Sequence, residues 1–168
     1  MQDYCETNFL QPSGFKVIVS KESLPYLSFM SQSLIHPSME IEAVEIARPR
    51  ITGVPFIGDQ VNFGSVTMEV LLDEGMNVYG EIYSWMERML ETKHKLNRGV
   101  LYNAQSSDLA SYADIRIEIL TSSNNKNREF QYVNAFPVSL GDVQFNSTTD
   151  ETFITCPITF RFDYFEFI

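Results

Sequence analysis

The chain closes on FPVSLGDVQFNSTTDETFITCPITFRFDYFEFI, Phe136 to Ile168. Its last eight residues, RFDYFEFI, hold four aromatics and an isoleucine. Chain ends are usually frayed and polar unless something ties them down. Strict alternation puts Ile154, Cys156, Ile158, Phe160, Phe162 and Tyr164 on one face, with Thr155, Thr159, Arg161 and Asp163 on the other. That pattern predicts a strand anchored in a core or against a neighbouring subunit.

Working outward, the same period recurs. DIRIEIL sets Ile115, Ile117 and Ile119 inward with Arg116 and Glu118 outward, TSSNNKNR has the composition of a hairpin tip, and EFQYVNAF returns. Another turn falls around Ser139 to Asp142. VTMEVLL, Val66 to Leu72, alternates cleanly, and FKVIV, Phe15 to Val19, reads as the first strand. A further strand lies within Leu27 to Ile35 and stops at His36-Pro37-Ser38, because proline lacks a ladder donor and restrains its predecessor. MEIEAVEIA slips in phase: Met39, Ile41 and Ala43 share a face, Val44 and Ile46 the other, and a β-bulge near Ala43 and Val44 reconciles them. RPRITGVPFIGDQVNFG, Arg48 to Gly64, reads as a loop or a long irregular hairpin arm. One helix stands out, capped by Asn77, with Val78, Ile82, Trp85, Met86, Met89 and Leu90 on one stripe as its core face. Lys95 to Ala110 reads as a loop. The fold class is mostly β: a β-sandwich or barrel of about seven strands with one flanking α-helix, in a single domain over residues 1–168.

The totals exclude several classes of function. At 168 residues and 44% hydrophobic, the chain can bury a core without staples. A net charge of −10 disfavours nonspecific attraction to nucleic acid or anionic lipid. It serves simple solubility, or a surface that must repel a polyanion passing close by. Cys5 and Cys156 have no metal-like or redox-like spacing and read as free thiols in a reducing compartment. No signal peptide and no membrane-spanning segment are expected.

Catalytic chemistry is not written in the chain. The only histidines, His36 and His94, sit at a strand end before proline and at a basic helix terminus. There is no G-x-S-x-G elbow or glycine-rich phosphate loop, and no ligand spacing for a metal. Glu40, Glu42 and Glu45 can be read as paired carboxylates, but their spacing is equally that of a solvated strand face. Arg88, Lys93, Lys95 and Arg98 form the one basic cluster, a dipole-compensating helix end or a contact for an acidic neighbour. We therefore expect no enzyme, no cofactor and no metal.

Two stretches together resemble the tail tube protein of contractile-tailed bacteriophages, a family related in fold to type VI secretion tube proteins. In Gly58 to Glu87 these are the Gly58-Asp59 loop, the strand VTMEVLLDE and the helix bearing Trp85. In Phe136 to Ile168 they are the Phe136-Pro137 turn, GDVQF, a polar acidic loop and a final strand ending near DYFE. The resemblance covers most of the chain; where the family has a small residue and leucine before the early proline, this chain has Ile35-His36. It implies a structural late protein of the virion tail, made in the host cytoplasm, whose hexameric rings stack into the inner tube through which DNA is delivered. Implied partners are further copies of itself, tail sheath and baseplate proteins, and DNA that passes through the lumen without specific binding. Candidate lumen-facing acids are Glu40, Glu42, Glu45 and Glu118. The alternatives are a tube-initiating baseplate protein, a type VI secretion tube component, or a small-ligand barrel with its aromatic face lining a pocket.

Overall fold

The computed structural model describes residues 9–20, 24–48, 51–94, 112–147 and 153–168. Among these it is mostly β, with nine strands and two helices in the order β1 (Phe15–Val19), α1 (Pro25–Met30), β2 (Ser31–Ile35), β3 (Met39–Arg48), β4 (Ile51–Phe63), β5 (Val66–Leu71), α2 (Asn77–His94), β6 (Ala113–Leu120), β7 (Lys126–Leu140), β8 (Thr155–Arg161) and β9 (Tyr164–Phe167). All pairings are antiparallel. Seven strands form one folded sheet in the order β1-β6-β7-β8-β5-β2, with β9 added on β7, and β3 pairs only with β4. The path ends at β1 and β2 without closing into a barrel.

β7 is what folds the sheet over. Its first half pairs with β6 and β9, and its second half, from Phe136, pairs with β8. The switch falls at Asn134, whose φ is 55°, a left-handed conformation that asparagine tolerates better than branched residues. Three hydrogen bonds fix that corner. The Asn134 N–H donates to Asp114 Oδ1 at 3.1 Å, its side-chain amide donates to Asp163 Oδ2 at 2.7 Å, and the Asp163 N–H donates to the Val133 carbonyl at 3.1 Å.

The inward faces meet in one core. Val66, Met68 and Val70 of β5, Cys156, Ile158 and Phe160 of β8, Ile115 and Ile117 of β6, and Tyr132 and Ala135 of β7 are buried there. α2 covers them with Val78, Ile82 and Trp85, all buried, while Met86 and Met89 pack at the margin. The Trp85 and Phe160 rings lie 6.1 Å apart.

The strand expected within Leu27 to Ile35 is β2, and three local features differ from or go beyond the sequence reading. First, Pro25 opens the short helix α1 ahead of β2, and the Tyr26 and Leu27 N–H groups donate to the Glu81 carboxylate of α2 at 3.5 and 3.3 Å. Burial pushes the Glu81 carboxyl above its ordinary value, against the pull of those two bonds. Second, Asn77 does not cap α2 from outside; it is the first helical residue, and its N–H donates to Asp73 Oδ1 at 2.8 Å. Third, the last strand is two strands. β8 ends at Arg161, and β9 turns away to pair with β7, leaving Tyr164 exposed. The expected loop Lys95 to Ala110 lies outside the described residues.

Candidate assembly surface

The most unusual feature of the molecule is the β3–β4 hairpin. Ten residues of one strand and thirteen of the other form a sheet of their own, with register Met39↔Phe63 and Ile41↔Val61 near the root and Ala43↔Ile57 to Arg48↔Ile51 towards the tip. The expected phase slip is present. The register shifts between Ile41 and Ala43, where Gly58, Asp59 and Gln60 stand against Glu42. A Cβ on Gly58 would overlap the Glu42 carbonyl oxygen, so glycine alone permits this approach.

The hairpin exposes apolar side chains on both strands: Met39, Ile41, Val44 and Ile46 on β3, and Phe56, Ile57 and Val61 on β4, with Ile57 87% exposed. Glu40, Glu42 and Glu45 are exposed among them. A two-stranded ribbon in water is marginal on its own, and both outer edges of this one carry unpaired backbone groups.

The root is held by rings. Phe63, the last residue of β4, packs on Phe162 at 5.9 Å and on Phe165 at 5.2 Å. His36, just before β3, sits against Phe130 at 4.4 Å and Phe165 at 5.0 Å, and its Nδ1 lies 2.6 Å from Tyr132 Oη. Burial pushes the Tyr132 phenol well above its usual range, so the phenol keeps its proton, and it donates to Nδ1 when His36 is the neutral tautomer protonated at Nε2. Burial on one side lowers the His36 imidazole. The Gly64 N–H closes the root by donating to the Ser38 carbonyl at 3.0 Å. β9 supplies half of this platform, through the pairs Phe130↔Phe167 and Tyr132↔Phe165.

The four candidate acids sit on two elements. Glu40, Glu42 and Glu45 are on the hairpin, whereas Glu118 is on β6, half-buried, with Lys126 Nζ 3.4 Å from its carboxylate. Lys126 also contacts Glu129, a buried acid that sequence reading passed over. Its signal, a lysine three residues before a glutamate at a hairpin tip, is too common to single out. Of the basic cluster, Arg88 is exposed, and the other side chains lie outside the described residues. Among the described residues no three His, Cys, Asp or Glu side chains converge as metal ligands, and no helix is long and apolar enough to cross a membrane. The aromatic face that a ligand barrel would need is filled by its own rings, with Tyr132 and Phe160 fully buried. The site sequence reading missed is the ring platform, whose members come from four separated segments.

Comparison with solved structures gives the same fold in contractile injection machines. The chain resembles a protein of the sheath/tube terminator of an extracellular contractile injection system, PVC, in its extended state. The TM-score is 0.69 at 18% identity over 97% of this chain and 99% of that one. It resembles a protein of the sheath–tube complex of the same system (TM-score 0.66, 18% identity, 95% and 90% covered) and one of the tube-terminating cap of the anti-feeding prophage (0.66, 19%, 100% and 99%). No curated protein sequence matches the chain. The profile of the phage tail tube protein family matches residues 6–168, and the chain belongs to that family of structural tube proteins.

Proposed function

We propose that six copies close into a ring, that rings stack head to tail into the inner tube of a contractile tail, and that the tube conducts DNA. The observation that carries this reading is the β3–β4 hairpin, whose two strands display apolar side chains that nothing among the described residues covers. Family membership supports another copy of the chain as the cover. A heterologous contact of this kind propagates without limit, which is what a tube requires.

In this reading Glu40, Glu42 and Glu45 keep a wall negative so that a polyanion slides past without sticking, and the net charge of −10 serves the same end. Glu118, paired with Lys126, has less charge to offer. Sheath and baseplate proteins are the outer and terminal partners, and the tail of the virion is the location. The likeness to proteins of a terminator and a cap keeps a second reading in view, a ring that ends or begins a tube without stacking on itself.

Replacing the exposed Ile41 and Ile57 by aspartate tests the contact. The circular dichroism and melting of the subunit should stay as in the wild type, while light scattering shows loss of assembly. A double variant that assembles normally would contradict the proposal.

A further inference from the structure

The root of the hairpin carries a histidine in contact with a buried phenol. His36 is the last residue before the Pro37-Ser38 turn into β3, so it lies at the hinge between the folded sheet and the projecting hairpin. Pro37 is buried and fixes the turn. The Gly64–Ser38 hydrogen bond closes the hairpin on itself, and Phe63 at its base packs on Phe162 and Phe165 of the folded sheet, beside the ring contacts of His36.

The His36–Tyr132 pair works in one protonation state. Neutral His36 offers the Nδ1 lone pair to a phenol that is wholly buried. A proton added to His36 converts Nδ1 into a donor facing another donor. The phenol must then rotate, present its oxygen to Nδ1–H and leave its own hydrogen among ring edges, where Phe162 stands 5.0 Å away edge-on. Contact of the imidazolium with the Phe130 face offsets part of this cost. The net effect is a penalty on the closed root, in keeping with the lowered imidazole.

Among the described residues, His36 has Phe130 and Tyr132 as its neighbours on β7 and Phe165 on β9. The charged group on the same face of β7 is Arg128, whose guanidinium lies 5.6 Å from the centre of the Phe167 ring. Glu129 and Glu166 point by alternation to the opposite face of that sheet, and Asp163 is engaged by Asn134. His36 is itself solvent-exposed, so a proton reaches it without unfolding.

We propose that His36 is an acid-released latch: its protonation loosens the β3–β4 hairpin from the aromatic platform of β7 and β9 and leaves the folded sheet intact. The test is amide hydrogen exchange of residues 39–63 at pH 7.5 and pH 5.5, each corrected for intrinsic exchange and referred to the β6 amides. It is run on protein that light scattering shows unassembled at both pH values. Opening of the hairpin relative to β6 should rise about threefold or more at the lower pH. His36→Gln, which keeps an acceptor that does not titrate, and Tyr132→Phe, which removes the competing donor, should each flatten that response. An unchanged hairpin-to-β6 ratio in the wild type would overturn the latch on its own, even if neither variant folds. The same pH response persisting in His36→Gln would overturn it too.

Discussion

Gly58 lies so close under the carbonyl of Glu42 that any side-chain carbon there would overlap the oxygen. The two residues face each other across the bulge that sets the register of the β3–β4 hairpin. Gly58→Ala must push β3 away or slip the pairing, and a one-residue slip reverses every side chain beyond it. The expected cost is about 1–3 kcal/mol, the usual range for forcing atoms into a filled space. Limited proteolysis should show faster cleavage within 39–63, with the sheet around β6 and β7 unchanged.

The corner at Asn134 makes a second, independent test. Its left-handed backbone and its bond to Asp163 hold the place where β7 leaves one half of the sheet for the other. Asn134→Val puts a branched side chain at positive φ and removes the bond, for a loss of about 1–3 kcal/mol. Asn134→Gly keeps the backbone free and should cost less than the valine. Urea denaturation of the two variants gives the order directly.

Both features show how much the chain discloses in advance. VTMEVLL and DIRIEIL declared their strands because one face of each is buried over most of its length, and FKVIV did so by its β-branched run around the buried Val17. The slip in MEIEAVEIA was visible as a change of phase. What stayed hidden depends on distant partners. The N–H groups at the start of α1 are satisfied by Glu81, more than fifty residues away, so the helix in PYLSFM went unread. The Phe162 and Tyr164 alternation runs on through a corner, because period two cannot say which sheet a residue joins. That Glu40, Glu42 and Glu45 belong to a hairpin outside the main sheet, and Glu118 to β6 within it, depends on strand pairing that alternation does not encode. The puzzle of the aromatic ending also resolves: β9 pairs with β7 and floors the root of the hairpin.

Acid should act on the start of α2. Burial nudges the Asp73 carboxyl up, but bonds from the Asn77 backbone and side chain outweigh it and leave the group below its ordinary 3.8. A carboxylate lowered in the folded state adds stability above its unfolded pKa and loses it as pH falls through the folded value. Asp73→Asn should therefore melt lower than the wild type at pH 7. The gap should narrow only below about pH 4, where the wild type loses the same charge. A gap that stays constant down to pH 2.5 would show that Asp73 acts without its charge.

The row on β3 yields a prediction about DNA. Glu40, Glu42 and Glu45 changed together to lysine move each subunit from −10 to −4, two charges for each residue. Assembled variant should retain labelled duplex DNA at low salt and release it as salt rises, while the wild type retains none. Retention no greater than wild type would remove these residues from the wall that DNA meets.

Cryo-electron microscopy of the purified wild-type protein over a concentration series tests the central claim most directly. The account predicts sixfold rings with an open lumen that stack into tubes, with the β3–β4 hairpin covered by a neighbouring copy. Persistent monomers at every concentration, even with preformed tube fragments as seeds, would contradict it, as would assemblies that leave the hairpin uncovered.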